Sequence, residues 1–158
     1  MKFAWLCSHE SHQPEDLLRQ AILAEQAGFD VVTGADHFHP WVDDRSAASF
    51  VWTWFGAVAQ ATSRVELATS VTAPLFRYHP ALIAQAAATV ARLSGGRFRL
   101  GVGTGEAINE SPLGYDFPGY GERIARMKEA IRIIQSLLAG EKLDYEGTVV
   151  KSCIHCHQ

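Results

Sequence analysis

The sequence predicts an α/β fold built on a parallel sheet, in which strands and helices alternate four times along the chain. Three observations support this prediction. Short apolar runs of strand length alternate with longer segments of helical periodicity, three of the four helical segments end at glycine, and 47% of the 158 residues are hydrophobic while 20% are charged. Such a chain can bury a core of ordinary size. Regular alternation of strand and helix implies right-handed crossovers between parallel neighbours.

The first strand–helix unit is defined by its flanking residues. The apolar run at residues 2–8, KFAWLCS, predicts a short buried strand. The segment at 14–28, PEDLLRQAILAEQAG, predicts a helix. Pro14 suits the first turn, two acidic residues follow it at the positive end of the helix, and Gly28 ends it.

The next units repeat this pattern. We predict them, in chain order, at residues 30–36 (strand), 49–62 (helix), 64–74 (strand), 79–96 (helix), 97–106 (strand) and 122–140 (helix). In the aromatic helix, Phe50, Trp54 and Val58 are expected on one face because they are spaced by four residues. Trp52, Trp54 and Phe55 are expected to pack in the core or against another subunit.

The last helix has the clearest pattern. Its apolar residues step by three or four along one face, at Ile124, Met127, Ile131, Ile134 and Leu138. Gly140 ends this helix. The following segment at 142–151, KLDYEGTVVK, predicts a hairpin that turns at Glu146-Gly147.

Each predicted strand ends in polar side chains that can carry chemistry. These groups are Ser8-His9-Glu10, Asp36-His37, Thr69-Ser70 and the segment from Thr104 to Asn109. A doubly wound open sheet collects its active site at one crevice, whereas a (β/α)8 barrel draws it from the carboxyl ends of several strands. The pattern therefore favours the barrel.

Length limits how much of a barrel the chain can form. A complete barrel needs roughly 250 residues, and these 158 residues hold about four strand–helix units. We therefore expect the N-terminal half of a barrel over residues 1–150 and an atypical tail over residues 151–158. A longer protein, or a partner, is expected to cover the exposed edges of the sheet.

Charge and cysteine content exclude several classes of protein. Fourteen basic and 17 acidic residues give a net charge of −3, which argues against nucleic acid or an anionic membrane as a partner. Three cysteines are too few for a disulfide framework. No window has the length of a membrane span or of a signal-peptide core. We expect a cytoplasmic protein.

Several motifs admit a second interpretation. The glycines of GVGTGE at 101–106 are spaced GxGxG, whereas the dinucleotide-binding fingerprint is GxGxxG. We therefore favour a strand end whose glycines let a flat ligand approach the backbone closely. HESH at 9–12 is one residue short of the zinc motif HExxH. His37 and His39 could bind zinc together, but no later strand supplies further ligands. The Cys/His tail at 153–157 is too crowded for one tetrahedral site, so no metal is predicted.

Three blocks of the sequence resemble the luciferase-like superfamily of flavin and deazaflavin oxidoreductases. The blocks are GADHFHPW (34–41), ATSVTAPLFRYHPALIAQAAATV (68–90) and RFRLGVGTGEAINE (97–110). They are most similar to its branch of coenzyme F420-dependent, glucose-6-phosphate-dehydrogenase-like enzymes. The resemblance covers about residues 2–150. It implies a (β/α)8 barrel whose deazaflavin lies across the carboxyl ends of the strands, and usually a homodimer.

The resemblance also assigns roles to individual residues. It implies cofactor contacts from Asp36, Ser70, Val71, Thr104, Gly105 and Asn109. Ser70 and Val71 would form a bulge, often with a cis peptide bond, that presses on the deazaflavin ring.

Four further side chains are implied to act on the reaction, at Glu10, His37, Trp41 and Glu106. By resemblance, His37 would act on the substrate hydroxyl, and Glu106 would exchange a proton with the deazaflavin ring. Trp41 would line the pocket, and Glu10 would help to orient the substrate. A histidine poised near neutral pH suits the base that alcohol oxidation requires.

We therefore expect an F420-dependent oxidoreductase that transfers a hydride between an alcohol or sugar-type small molecule and the deazaflavin. One alternative is a monooxygenase of the same superfamily that uses FMN, and another is a half-barrel without catalysis. A metal-dependent hydrolase is more remote. The substrate stays open, because Ala73 stands where sugar-phosphate-oxidising members have Thr, and because the family's second half carries the phosphate site.

Overall fold

The structure is a computed structural model, and it describes residues 1–42, 47–147 and 150–154. The chain divides into two compact units. The first, here called the sheet unit, comprises Met1–Thr72 and Thr89–Val102, and the second, the helical unit, comprises Ala73–Ala88 and Gly103–Gln158. The division of the chain at residue 150, which the sequence predicts, remains a prediction.

The elements follow one another as the sequence predicts, with additions before the last helix. In chain order they are β1 (Ala4–Cys7), α1 (Pro14–Gln26), β2 (Val31–Gly34), α2 (Val51–Ala61), β3 (Glu66–Thr69), α3 (Pro80–Leu93), β4 (Phe98–Arg99), α4 (Ala107–Glu110), a 3-10 turn (Ser111–Leu113), α5 (Tyr120–Leu138), β5 (Leu143–Glu146) and β6 (Lys151–Ile154). The sequence did not predict α4 or the 3-10 turn. None of the described helices has the length and apolar character needed to cross a membrane.

Strands β1 to β4 form a parallel sheet in the order β1-β2-β3-β4, which confirms the predicted α/β fold. Cys7 pairs with Gly34, and Gly34 pairs with Thr69. Beyond the short strand β4, Thr72 makes an isolated parallel bridge to Val102. Because the last residues of β1, β2 and β3 are paired, the carboxyl ends of these three strands lie side by side.

The core of the sheet unit is built from side chains of α1, α2 and the strands. Burial alternates along β2 and β3, so that every second residue contributes to the core. The fully buried side chains include Leu17, Leu67 and Phe55, and Phe55 packs against Phe98 with ring centroids 5.5 Å apart. Full burial of each such side chain stabilises the fold by about 1.5–3 kcal/mol.

The observed faces of two helices differ in part from the predicted ones. Trp54 and Val58 are buried as predicted, but Phe50 is 51% exposed because α2 begins one residue later, at Val51. Trp52, Trp54 and Phe55 lie in the core, as expected.

In α5 the buried residues are Met127, Glu129, Ala130, Ile133 and Ile134, whereas the predicted face included Ile131, which is half-buried, and Leu138, which is 50% exposed. The predicted face omitted Glu129, which is buried and whose carboxylate accepts a hydrogen bond from Val150 N at 3.0 Å.

The predicted hairpin is confirmed, and it is longer than predicted. Strands β5 and β6 are antiparallel, and Glu146 pairs with Lys151. The turn begins at Gly147, whose N–H donates to Val150 O at 2.9 Å. Strand β6 therefore includes Lys151–Ile154, which the sequence assigns to the tail.

Arg97 joins three segments at the amino end of β3. Its guanidinium donates to the carbonyl oxygens of Ala59 (3.0 Å), Thr62 (2.9 Å), Val65 (2.7 Å) and Ser94 (2.8 Å), and to Thr62 Oγ1 at 3.1 Å. The Ala59 and Thr62 carbonyls lie at the carboxyl end of α2, where the last carbonyls of a helix have no partners within it. A cation at the carboxyl end of α2 also interacts favourably with the helix dipole.

Glu25 of α1 binds the same turn from the other side. Its carboxylate accepts hydrogen bonds from the backbone N–H groups of Ser63, Arg64 and Val65 at 2.7 to 3.2 Å. Burial acts to raise the pKa of Glu25, but these N–H groups and the Arg64 guanidinium outweigh it and hold the pKa below its usual value. The turn that leads from α2 into β3 is thus fixed by one acidic and one basic side chain.

We predict that Arg97→Met lowers the free energy of unfolding by about 3 kcal/mol or more, because it leaves several buried carbonyls without donors. Arg99→Met is the matched control: Arg99 is an exposed residue of β4 that pairs with Glu66 at 3.2 Å, and its loss should cost less than about 1 kcal/mol. Urea unfolding of both variants measures the difference. Equal losses would show that Arg97 does not hold this turn.

Candidate active site

Glu10 and His37 are in contact between the ends of two neighbouring strands. The Glu10 carboxylate contacts His37 Nδ1, and the side chains of His37 and Glu10 are 16% and 15% exposed. Each residue lies three positions after the end of its strand, and those ends, Cys7 and Gly34, are paired. Because the two residues lie equally far beyond paired strand ends, their side chains come together. The sequence predicts both as site residues, but it does not predict that they bind each other.

Trp41 lies against the His37 ring. The ring centroids are 5.9 Å apart, with the planes tilted by 42°, and 60% of Trp41 is exposed. An imidazole that contacts a carboxylate on one side and an indole on another is held in one orientation while part of it stays accessible.

Asp36 is buried, with 4% of its surface exposed. Its Oδ2 atom accepts hydrogen bonds from Trp52 Nε1 at 3.3 Å and from Thr72 Oγ1, and its backbone N–H donates to Val71 O at 3.4 Å. The carboxylate thus joins the end of β2 to α2 and to the segment after β3. Trp52 and Thr72 are partners that sequence reasoning missed, since nothing local indicates that an indole in a core helix will bind this acid.

Ser70 and Val71 directly follow β3. The peptide bond between them is cis, as the resemblance implies. Both side chains are exposed, Val71 to 45%.

The first glycine of the GVGTGE motif has a structural cause. A Cβ at Gly101 would lie 2.2 Å from Thr69 O, so this position requires glycine. Thr69 Oγ1 also donates to Gly101 O and accepts from Gly101 N, both at 2.8 Å. This glycine therefore serves the contact between two neighbouring chain segments.

In the helical unit, Glu106 and Asn109 lie together at the start of α4. Asn109 N donates to Glu106 O at 3.0 Å, and Asn109 Nδ2 donates to Glu106 Oε2 at 3.3 Å. Asn109 is buried while Glu106 is exposed. The helix thus presents the Glu106 carboxylate at the surface with a buried amide behind it. Thr104 and Gly105 directly precede this pair and are half-buried.

A buried ion pair that sequence reasoning missed supports this segment. Glu110 is fully buried, and its Oε1 lies 4.0 Å from Arg77 Nε. Glu110 Oε2 also accepts from the backbone N–H of Arg77 at 3.3 Å. A Cβ placed on Gly105 would lie 3.5 Å from Glu110 Oε1, so the carboxylate lies directly behind this glycine. Removal of one partner would leave a buried charge uncompensated, at a cost of about 3–5 kcal/mol.

His9 follows β1 and is fully buried. Its Nδ1 lies 2.6 Å from Ser49 Oγ, and its ring meets Trp54 edge-on at 4.7 Å between centroids. Burial lowers the pKa of His9 from 6.5 to about 4, although the Asp36 carboxylate and the hydrogen bond with Ser49 act in the opposite direction. At neutral pH the ring is therefore uncharged.

The described residues hold no group of three or more His, Cys, Asp or Glu side chains arranged to bind a metal ion. The alternative zinc site in the tail falls partly on residues 155–158, which lie outside the described residues.

Comparison with known proteins places the chain among luciferase-like oxidoreductases. The family model for luciferase-like monooxygenase matches residues 1–156. A protein from Beutenbergia cavernae named F420-dependent glucose-6-phosphate dehydrogenase is 48% identical over 148 residues, which are 94% of this chain and 44% of that protein. A Rhodococcus jostii protein named F420-dependent glucose-6-phosphate dehydrogenase 1 is 44% identical over 154 residues, with 96% and 46% covered. The chain spans about half the length of these curated relatives.

Solved structures similar to this chain are also of F420-dependent enzymes. An F420-dependent secondary alcohol dehydrogenase in complex with an F420-acetone adduct superimposes with a TM-score of 0.93 at 37% identity, covering 96% of this chain and 46% of that one. The coenzyme F420-dependent tetrahydromethanopterin reductase of Methanopyrus kandleri superimposes with a TM-score of 0.81 at 24% identity, which supports the fold alone. These neighbours are (β/α)8 barrels, so the expected half-barrel is confirmed.

We predict that stability falls as the pH drops from 6.5 towards 4. In this range the unfolded chain binds a proton at His9 and the folded chain does not. This group therefore lowers the free energy of unfolding by at most about 1.4 kcal/mol for each pH unit. The melting temperature, followed by circular dichroism between pH 7 and 4, measures the effect. His9→Asn should flatten this part of the profile, whereas the same change at the exposed His12 should not. A parent profile that is flat down to pH 5 would contradict the prediction.

Proposed function

We propose that this chain, which belongs to the luciferase-like monooxygenase family, binds coenzyme F420 and takes part in hydride transfer between that cofactor and a small alcohol or sugar-type substrate. The observation that carries the proposal is the Glu10–His37 pair at the paired ends of β1 and β2. The names of the relatives support the cofactor.

His37 is proposed to accept the proton of the substrate hydroxyl. Removal of a hydride from an alcohol carbon leaves an oxygen that must lose its proton, and a base within hydrogen-bond reach lowers the barrier. Glu10 holds His37 Nδ1, so the other ring nitrogen, Nε2, is the atom proposed to take the proton. A carboxylate beside the ring also stabilises the positive charge that the ring then carries.

The residues after β3 fit a flat, largely apolar ring. Val71 is 45% exposed at the end of the strand, and the neighbouring Ser70 hydroxyl is exposed as well. Asp36 binds Trp52 and Thr72 through Oδ2, and its contact with the cofactor is part of the proposal. When bound, coenzyme F420 supplies the hydride chemistry, and the protein supplies position and proton transfer.

Glu106 is proposed to exchange a proton with the cofactor ring. Its carboxylate is exposed, and Oε2 accepts a hydrogen bond from the buried Asn109. That hydrogen bond orients the exposed carboxylate. Thr104, Gly105 and Asn109 are proposed to contribute cofactor contacts, and the chemistry of their hydroxyl, backbone and amide groups suits a polar ligand.

We also propose that the protein acts in the cytoplasm and assembles as a homodimer. Large apolar side chains such as Leu6, Leu23 and Leu82 are each more than half exposed, at 56%, 61% and 57%. A second copy would bury part of such surface.

The first test of the function is a fluorescence titration with oxidised coenzyme F420 beside FMN. We expect saturable F420 binding at micromolar concentration and weak FMN binding. Val71→Glu should weaken F420 binding by about tenfold or more, because it places a charge where an apolar ring face is expected. Gln135→Glu adds the same charge at an exposed site on α5 and should leave the affinity unchanged.

Preferential FMN binding together with oxygen consumption would favour the monooxygenase alternative. No binding of either cofactor would refute the proposed function for this chain.

The second test is turnover with glucose 6-phosphate and with a secondary alcohol, the substrates named for the relatives. His37→Ala should lower kcat by roughly 10²- to 10⁴-fold, since it removes the base, while the F420 affinity stays within about twofold. His12→Ala, an exposed histidine, is the control. Intact turnover in His37→Ala would contradict its assigned role.

A further inference from the structure

We propose that His9 is a positioning residue that fixes the turn after β1 and thereby holds Glu10 against His37. The inference deepens the proposed function and rests on it for the catalytic role of that pair. His9 follows Cys7, the last residue of β1, by two positions, and Glu10 comes next. Its ring lies in the interior of the sheet unit, while Glu10 and His37 are partly exposed.

The His9 ring packs directly on the end of β2. A Cβ added to Gly34 would lie 3.0 Å from His9 Nε2 and 2.8 Å from Val51 Cγ2. The imidazole therefore lies against this glycine, and a side chain at position 34 would require the ring and Val51 to shift. Because Gly34 precedes His37 by three residues, the ring of His9 constrains where the chain leaves β2.

Hydrogen bonds join the turn after β1 to the segment before α2. Nδ1 of His9 lies 2.6 Å from Ser49 Oγ, just before α2, and Ala47 N donates to Glu10 O at 3.4 Å. The turn itself closes through Ser11 N, which donates to Ser8 O at 3.2 Å. Within this turn His9 is the fully buried side chain, so it anchors the backbone from which Glu10 projects.

Burial keeps the His9 ring uncharged at neutral pH, although the neighbouring Asp36 carboxylate acts to raise its pKa. Asp36 is the carboxylate that acts on His9, and it is itself bound by Trp52 and Thr72. Glu10 and His37 neutralise each other when His37 is protonated. An uncharged His9 therefore adds no charge to the pair and acts on it through position alone.

The test compares the His37 ring nitrogen signals in protein labelled with ¹⁵N-histidine, with no cofactor present. The signals are assigned by their loss in His37→Gln, and Glu10→Gln gives the shifts caused by loss of the ion pair. In His9→Asn we expect the His37 signals to move towards those of Glu10→Gln although Glu10 is still present. His12→Asn, the same change at an exposed neighbour, should leave them unchanged.

A folded His9→Asn protein whose His37 signals match the parent would overturn the proposal. If His9→Asn does not fold, His9→Gln is measured in its place. If neither folds, Ser49→Ala is measured, because it removes only the partner of Nδ1, and parent-like His37 signals there would overturn the proposal equally.

Turnover separates this inference from the proposed function. His9→Asn should lower kcat by roughly 10- to 100-fold, the cost of a misplaced catalytic group, with the F420 affinity within about twofold. Shifted His37 signals in a protein that binds no F420 would uphold the positioning role and refute the proposed function. Parent-like His37 signals in His9→Asn, in a protein that binds F420 and turns over, would refute the positioning role and uphold the proposed function.

Discussion

The parallel pairing of Cys7, Gly34 and Thr69 sets the geometry on which the candidate site of the sheet unit depends. Contacts beyond the strands join residues at matching distances from those ends. His37 meets Glu10 three residues after each end, and Asp36 N donates to Val71 O two residues after each end. A slip of one residue in this register would send each of these groups to the opposite face of the sheet.

Strand β3 is fixed by hydrogen-bonded polar side chains at both of its ends, and the two ends serve different purposes. At the amino end, Arg97 and Glu25 bind the backbone around Val65. At the carboxyl end, Asp36 binds Thr72, next to the exposed Val71. Buried polar groups are costly unless they are hydrogen-bonded, and here each joins separate segments. The amino end thus provides stability, while the carboxyl end presents the side chains proposed for chemistry, as in barrel enzymes generally.

The sequence predicts the parts of this structure that depend on local signals. Pro14 and Gly28 marked the limits of the first helix, and polar residues after apolar runs marked the strand ends. The sequence could not predict the parts that depend on distant partners. Glu129 of α5 is buried with a hydrogen bond from Val150, 21 residues away, and Arg97 makes its hydrogen bonds with residues 59 to 65 and with Ser94. Local patterns also do not show that Glu10 binds His37, because that contact follows from strand register.

The contact between His9 and Gly34 has an evolutionary consequence. An imidazole and a glycine that share one volume cannot be exchanged independently, since a methyl group at position 34 would meet both the ring and Val51. Loss of the histidine alone does not release the glycine, because Val51 Cγ2 would still lie 2.8 Å from the added methyl group. Positions 9, 34 and 51 are therefore expected to vary together among relatives, with smaller residues at positions 9 and 51 wherever position 34 carries a side chain.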